Sequence, residues 1–324
     1  MICAEYIWLD SNDELRSKTR ILNNTQTNIS SLPIWNYDGA YTGDSIITDS
    51  EIIIKPKAIF LDPLRKNNNI LVLCDSYNSD GVTPHKNNNR IIANNIFNTS
   101  TNPKYLNPLF GIEQDYFLID PNSNINNSKH YCGSFISSTS RQIVEEHLQA
   151  CLYAKLSITG INADFSPSQF EFQIGDYGII ACDHLYIARF LLIRIGEKYN
   201  TKICFHPKPY LNQNGSGCHI NFSTDYMRQQ PNGIQYIQEA IEKLSKNHDK
   251  HISFYGKDIE LRLTGVGDTS SINKFTYGIG NRGCSIRIPN SVVYEQKGYL
   301  EDRRPCSNIN PYIVCSLIYE TISN

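Results

Sequence analysis

The chain has 324 residues, ten cysteines and a formal net charge of −2. At this length the chain can bury a hydrophobic core without disulfides or a structural metal. The cysteines form no Cys-x-x-Cys pair, and the first twenty residues contain charges where a signal peptide needs an apolar run. Both features favour a reducing, cytoplasmic setting. No basic block suits a phosphate backbone, and the most apolar helical segment, "HLYIARFLLIRIG", is too short for a membrane span, so we expect neither nucleic acid nor membrane as a partner.

The first eighty or so residues alternate strand-like runs with turn clusters. The runs are "EYIWLD", "EIIIKP", "AIFLDP" and "NILVLCDSY", and no long helical period appears among them. Short apolar runs bounded by turn residues are typical of strands. The sequence therefore predicts a small β-rich domain over residues 1–85.

Within this region, "IWNYDGAYTG" sets Asp38 between aromatic residues and a glycine, with no basic neighbour. Asp-Gly is a strong turn dipeptide, because Asp hydrogen-bonds the local backbone and Gly tolerates positive φ. A solvated turn is thus the simpler interpretation of Asp38. The local sequence alone does not explain why the carboxylate is unpaired.

From about residue 86 helical patterns alternate with strands. "RQIVEEHLQACLYAKL" places Ile143, His147 and Cys151 on one helical face, and "GIQYIQEAIEKLSKNH" does the same for Ile237 and Ile241. Between the helices lie the strand-like runs "YFLID", "FEFQIGD", "ICFHPKPY", "CHINFST" and "SIRIP". We predict a second domain over residues 86–324.

Several of these strands alternate apolar side chains with charged or polar ones. Successive strand side chains point to opposite faces, so Glu171 and Gln173 share one face of "FEFQI", and His219 and Asn221 share one face of "CHINF". A solvated sheet face would carry mostly Lys, Thr and Ser. Acid, His, Asn and Arg recur instead, which indicates metal and phosphate chemistry.

Acidic residues and one histidine form the candidate metal ligands. Two residues apart on a strand, Glu113 and Asp115 project from one face, and their mutual repulsion calls for a cation. Hard oxygen ligands with one nitrogen suit Mg²⁺ or Mn²⁺. For any single pair, a solvated acidic face is the simpler interpretation. The full candidate set is Glu113, Asp115, Asp164, Glu171, His219 and Glu301.

Arginines cluster in the last quarter of the chain, where each offers a rigid fork that matches carboxylate or phosphate. A salt-bridged surface is the alternative for any one of them. "NQNGSGCH" supplies glycines that let a backbone approach a ligand, but there is no Walker-type motif. The arginines are Arg262, Arg282, Arg287, Arg303 and Arg304.

Taken in order, "AEYIWLD", "WNYDG", "FGIEQDY", "HPKP", "NGSGCH", "RLTG", "NRG", "SIRIP" and "EDRRP" resemble glutamine synthetase of the eukaryotic type (class II). The resemblance implies an α+β fold, with an N-terminal β-grasp domain and a catalytic domain of antiparallel β-sheet flanked by helices. It also implies ATP-dependent ligation of ammonia to glutamate through a γ-glutamyl phosphate. Two or more Mg²⁺ or Mn²⁺ ions per site, and a decamer of two pentameric rings with sites shared between subunits, are further expectations.

The resemblance assigns a role to each candidate residue. Glu113, His219 and Glu301 match ligands of the metal that carries the nucleotide phosphates, and Asp115, Asp164 and Glu171 match ligands of the metal nearer glutamate. Arg282, Arg287 and Arg303 match residues that hold the transferring phosphate and the substrate. Arg262, Asn214 and Gly215 match residues that contact glutamate. Tyr299 and Ser223 match residues that contact the nucleotide. Asp38 matches the residue that binds ammonium and takes its proton, and Asp268 matches the loop carboxylate that closes over the acyl phosphate.

Six positions depart from the family pattern. Ala40 and Tyr41 stand where two serines are usual, and Leu109 stands where a tryptophan is common. Asp115, Asp164 and Asp268 stand where Glu is usual, and each retracts its carboxylate by about 1.5 Å, one C–C bond. Two alternatives therefore stay open. One is a catalytically impaired relative that serves as a structural or regulatory assembly, and the other is a γ-glutamyl ligase acting on another amine.

Overall fold

The computed structural model describes residues 1–23, 28–119, 130–134 and 138–324. It divides into two compact units. The first comprises Met1–Ala93 with Gln149–Leu156, and the second comprises Asn94–Leu148 with Ser157–Asn324. The domain limits 1–85 and 86–324 remain predictions.

The first unit contains one five-stranded sheet, in the order β2-β1-β5-β4-β3. Its strands are β1 (Ile2–Leu9), β2 (Leu15–Leu22), β3 (Trp35–Asp38), β4 (Glu51–Leu61) and β5 (Ile70–Tyr77). β1 and β5 run parallel and the other pairs are antiparallel. Its core includes Trp8 stacked on Tyr37, with ring centroids 4.5 Å apart. The β-grasp assignment remains a prediction.

One strand expectation in this unit is wrong. "EIIIKP" and "AIFLDP" form the single strand β4 rather than two strands, with a register shift between Pro56 and Ala58. Proline has no N–H to donate to the ladder, so the sheet accommodates it by a local irregularity instead of a turn.

After β5 the chain forms eight helices and eight further strands within the described residues. In order these are α1 (Asn89–Phe97), β6 (Leu109–Ile119), α2 (Ser138–Tyr153), β7 (Ile158–Ala163), β8 (Gln169–Tyr177), α3 (Gly178–Lys198), β9 (Lys202–Cys204), β10 (Cys218–Ser223), α4 (Asp225–Gln229), α5 (Gly233–Lys246), α6 (His248–Ile252), β11 (Tyr277–Ile279), β12 (Ile286–Ile288), α7 (Asn290–Glu295), β13 (Leu300–Asp302) and α8 (Pro311–Ser323).

The second unit is built on an eight-stranded sheet, in the order β11-β12-β13-β10-β6-β8-β7, with β9 paired to β6. All pairs are antiparallel except β11 with β12. The predicted α+β class, with a largely antiparallel sheet flanked by helices, is confirmed. Helix α3 packs on β6 and β8, and it buries the apolar face of Ile112, Phe172 and Ile174.

The predicted helix faces are also confirmed. Ile143, His147 and Cys151 on α2, and Ile237 and Ile241 on α5, are all buried. The strand expected at "ICFHPKPY" is shorter than predicted, because β9 ends at Cys204 before the two prolines. Among the described residues, no helix combines the length and apolarity that a bilayer crossing requires.

Candidate active site

A cavity of about 260 Å³ opens on the face of the second unit's sheet that the helix α3 leaves free. Strand alternation directs Glu113 and Asp115 of β6, Glu171 of β8 and His219 of β10 into it. Of the predicted site residues, all except Asp38, Ser223 and Glu301 line its wall. Those that line it are Glu113, Asp115, Asp164, Glu171, Asn214, Gly215, His219, Arg262, Asp268, Arg282, Arg287, Tyr299 and Arg303.

The three adjacent strands β6, β10 and β13 bring together a compact ligand group. Glu113, His219 and Glu301 offer ligand atoms that all lie within 4.8 Å of one another. His219 stands opposite Glu113 in the register of β10 and β6. His219 Nδ1 lies 3.4 Å from Glu113 Oε2 and 3.7 Å from Glu301 Oε1. Two carboxylates and one imidazole in this arrangement fit a divalent cation.

The imidazole of His219 is held in a neutral form by its surroundings. Burial lowers its pKa well below the usual value, and the charges of Arg303 and Arg262 lower it further. Arg262 Nη2 lies 2.7 Å from His219 Nε2. A side chain at Gly217 would place Cβ 2.5 Å from His219 Nε2 and 2.6 Å from Arg262 Nη2, so any larger residue would displace these two side chains. Gly217 is a site residue that sequence reasoning did not select.

A second acidic group, Asp115, Asp164 and Glu171, lies in the same cavity. Burial raises the pKa of all three carboxyls, to about 7 for Glu171, and the charges of Asp164 and Glu171 further raise that of Asp115. The Gly217 N–H donates to Asp115 Oδ2 at 2.8 Å, which partly offsets the cost of that burial. Buried carboxylates in mutual repulsion are the donor set that a cation relieves.

The two acidic groups differ in compactness. Within the part of the chain that the structure describes, Glu113, His219 and Glu301 are the group whose ligand atoms all approach within 4.8 Å. Asp115, Asp164 and Glu171 do not meet that separation. Shorter Asp side chains in place of Glu are a sufficient physical reason, because each brings its oxygens less far into the cavity.

Three of the five clustered arginines contact the first ligand group: Arg262, Arg287 and Arg303. Arg304 is instead buried and paired with Asp302. Arg303 Nη1 lies 2.6 Å from Glu301 Oε1, and Arg287 Nη1 contacts Glu301 Oε2. Arg303 Nε donates to the Arg282 carbonyl at 2.9 Å. Arg303 Nη2 lies 3.8 Å from Asp268 Oδ2, so the loop that carries Asp268 meets the same guanidinium.

The glycine-containing segment "NQNGSGCH" approaches the cavity from the side of Arg262. A Cβ at Gly215 would lie 2.8 Å from Arg262 Cγ and 2.9 Å from the Pro207 carbonyl oxygen, so the backbone passes close to both groups. The Asn214 N–H donates to Ser166 Oγ at 3.2 Å. Asn214 and Gly215 are thereby held at the wall of the cavity.

Two predicted residues lie elsewhere. Ser223 is buried on β10, where Arg228 Nη1 donates to its hydroxyl at 3.0 Å, and it does not line the cavity. Asp38 belongs to the first unit and is exposed. Its carboxylate accepts from the Ala40 N–H at 3.0 Å and caps the short helical turn Gly39–Tyr41. The turn interpretation of Asp38 is confirmed, and its role toward ammonium remains a prediction.

Sequence reasoning missed several residues of the cavity wall. Gln173 donates to Glu171 Oε1 at 2.6 Å, and Asn162 donates to Glu171 Oε2 at 3.4 Å. The alternation of "FEFQI" already places Gln173 beside Glu171, so that signal was present. Tyr131 and Cys132 also line the cavity, and no periodic pattern marks them.

The chain is similar to known proteins over nearly its whole length. Residues 87–253 match the family described as "Glutamine synthetase, catalytic domain". Glutamine synthetase of Agaricus bisporus is 46% identical over 333 residues, which cover 99% of this chain and 93% of that protein. Glutamine synthetase of Eremothecium gossypii is 47% identical and that of Saccharomyces cerevisiae 46%, each over 99% of this chain and 89% of the relative.

Proposed function

The chain belongs to the glutamine synthetase family, and on that premise we propose that the cavity of the second unit is its active site. The protein is an ATP-dependent ligase that joins ammonia to glutamate to give glutamine, and it uses divalent metal ions. The relatives give no support to a non-catalytic assembly or to another amine as substrate.

One observation carries the assignment of the cavity: five of the six candidate metal ligands and four arginines line a single space of about 260 Å³. Phosphoryl transfer has little covalent chemistry for the protein to supply, so catalysis depends on positioning and on stabilising charge. Glu113, His219 and Glu301 would hold one divalent ion, and the second acidic group would hold another. Bound Mg²⁺ or Mn²⁺ supplies positive charge against the phosphate oxygens.

The chain's own residues then perform two tasks in the first step. Arg262, with the backbone of Asn214 and Gly215, orients glutamate so that its side-chain carboxylate faces the γ-phosphorus of ATP. The carboxylate oxygen attacks, the bond to the bridging oxygen breaks, and ADP leaves. Arg303 and Arg287 flank Glu301 and stabilise the charge on the transferring phosphoryl group.

In the second step ammonia attacks the acyl carbon of γ-glutamyl phosphate, and phosphate leaves. Asp38 of a neighbouring subunit binds ammonium and accepts its proton. Asp268, on the loop that meets Arg303, shields the acyl phosphate from water. This division of roles requires an assembly in which first units complete the sites of neighbours, and we propose a decamer of two pentameric rings in the cytoplasm. Tyr299, which lines the cavity, completes the nucleotide side.

The test is phosphate release in the joint presence of ATP, glutamate and ammonium. Release by the wild type should require all three together. Glu301→Gln removes one ligand charge and should abolish release, whereas the matched control Glu295→Gln, at an exposed position of α7, should leave it unchanged. Full activity in Glu301→Gln would show that the reaction takes place elsewhere.

A further inference from the structure

The central strand β6 has a polar residue on the face turned away from the cavity. Gln114 lies between the candidate ligands Glu113 and Asp115, so strand alternation directs its side chain to the opposite side of the sheet, where it is fully buried. A buried amide costs free energy unless its donors and acceptors are satisfied. Gln114 is therefore informative, because its two neighbours on the same face of β6, Ile112 and Tyr116, are buried as well.

The side-chain amide of Gln114 has hydrogen-bond partners for both its nitrogen and its oxygen. Its Nε2 donates to the Asp115 carbonyl at 2.8 Å and to the Ser307 carbonyl at 3.0 Å. Its Oε1 accepts from Arg189 Nε at 2.8 Å and from the Cys218 thiol at 3.5 Å. One side chain thus contacts β6 at a candidate ligand, β10 beside His219, and the segment that follows β13.

Arg189 of α3 fixes which way this amide points. A guanidinium has only donors, so it requires Oε1 to face it, and Nε2 must then face the two carbonyls. Arg189 Nη1 also donates to the Ile309 carbonyl at 2.8 Å, and Nη2 donates to the Ser307 carbonyl at 3.0 Å. Its planar fork reaches these three acceptors at once, which a lysine ammonium cannot do.

Arg189 is 6% exposed, and within the described residues the structure gives it neutral acceptors and aromatic rings but no carboxylate partner. Burying an unpaired cation costs several kcal/mol, so a fold that only needed packing would use an apolar side chain here. The cation lies behind the strand that presents Glu113 and Asp115 to the cavity. Its placement suits a supporting role for that acidic face.

We propose that Arg189 and Gln114 act as one positioning unit. They set where β6 presents Glu113 and Asp115, and where the segment carrying Ser307 leaves the sheet after Arg303. Through this geometry they raise the affinity of the cavity for divalent ions. The inference rests on the proposed function of the cavity and adds two residues that do not touch it.

The experiment measures binding of Mn²⁺ alone, by electron paramagnetic resonance of the free ion. Arg189→Met and Gln114→Met should each weaken Mn²⁺ binding about tenfold, the usual effect of removing a partner that orients a ligand. Arg189→Lys keeps the charge but loses the fork, and should be weakened to the same degree. The control Arg194→Met, on the same helix but paired with Glu197 at its surface, should bind as the wild type does.

The double variant Gln114→Met with Arg189→Met separates a unit from two independent effects. If the pair acts as one, the double variant loses about tenfold, no more than either single variant, since neighbours in one network are not additive. Circular dichroism and the melting temperature identify the variants that are folded. If the methionine variants are unfolded, the test uses Arg189→Lys, which keeps the charge and most of the side-chain volume.

Three results would overturn the proposal: folded variants that bind Mn²⁺ as tightly as the wild type, rescue by Arg189→Lys, or a hundredfold loss in the double variant. None of these results would contradict glutamine synthesis by the wild type. Conversely, failure of the wild type to make glutamine would refute the proposed function whatever the variants bind.

Discussion

Arg303 Nη1 lies 2.6 Å from Glu301 Oε1, and the two side chains are 4% and 0% exposed. The pair therefore joins the proposed phosphate clamp to a proposed metal ligand inside the protein. Removing the Arg303 side chain would leave the buried Glu301 carboxylate paired with Arg287 but short of one positive charge, which is destabilising. A conservative change at Arg303 is thus a sharper probe than a deletion of its charge.

Arg303→Lys should depress turnover far more than it weakens ATP binding. Lysine keeps the charge but cannot reach the Arg282 carbonyl and Glu301 together, as the guanidinium does at 2.9 and 2.6 Å. We expect kcat to fall by about a hundredfold while KM for ATP changes by less than about threefold. Steady-state kinetics decide the matter, and equal losses in both constants would show that Arg303 only binds nucleotide.

Asp38→Asn and Glu301→Gln should complement each other when mixed. Asp38 lies in the first unit and Glu301 in the second, so a site shared between subunits draws them from different chains. Each variant alone should be inactive, and co-assembled mixtures should regain part of the wild-type rate, because some interfaces carry neither lesion. Mixtures as inactive as their parents would contradict the shared site.

The shortened carboxylates predict a metal preference. Asp115 and Asp164 leave the second acidic group wider, which penalises Mg²⁺, with its demand for near-ideal octahedral geometry, more than the larger Mn²⁺. Activity should be low in Mg²⁺ and higher in Mn²⁺, and Asp115→Glu with Asp164→Glu should raise the Mg²⁺-supported rate severalfold. A wild type that already matches the double variant in Mg²⁺ would show that the backbone compensates.

His147 predicts acid instability that does not depend on metal. Burial lowers its pKa to about 4 in the folded protein, against an ordinary value of 6.5. The unfolded chain therefore binds the proton more readily than the folded protein does. The contribution of His147 to the free energy of unfolding is fully present above pH 6.5 and is lost as the pH falls toward 4. Across this pH range the free energy of unfolding falls by about 3 kcal/mol through His147.

His147→Gln should accordingly flatten the pH dependence of the urea midpoint between pH 4.5 and 7. Parallel curves for the wild type and His147→Gln would mean that His147 is not what resists protonation in the folded state.

The local part of the site could be predicted from the sequence. Alternation in "FEFQI" separates buried Phe172 from Glu171, and alternation in "CHINF" separates buried Ile220 and Phe222 from His219. A period of two is a property of neighbours in the chain, so it can be read without knowing the sheet.

The remaining parts depend on contacts between distant residues. Arg262 reaches His219 only because the segment after α6 folds back onto β10, and a side chain at Gly217 would be crowded only because those two residues lie beside it. The Gln114 and Arg189 contact joins a strand to a helix 75 residues away. No pattern within either segment specifies such a partner, since strand order and helix placement decide it.

The most direct measurement of the central claim follows oxygen from glutamate to phosphate. Glutamate labelled with ¹⁸O in its side-chain carboxylate is supplied with ATP and ammonium, and the released phosphate is analysed by mass spectrometry. If the cavity forms γ-glutamyl phosphate, each glutamine made should transfer one labelled oxygen to phosphate, because the carboxylate oxygen attacks phosphorus and leaves with it. Glutamine formed together with unlabelled phosphate would contradict the account.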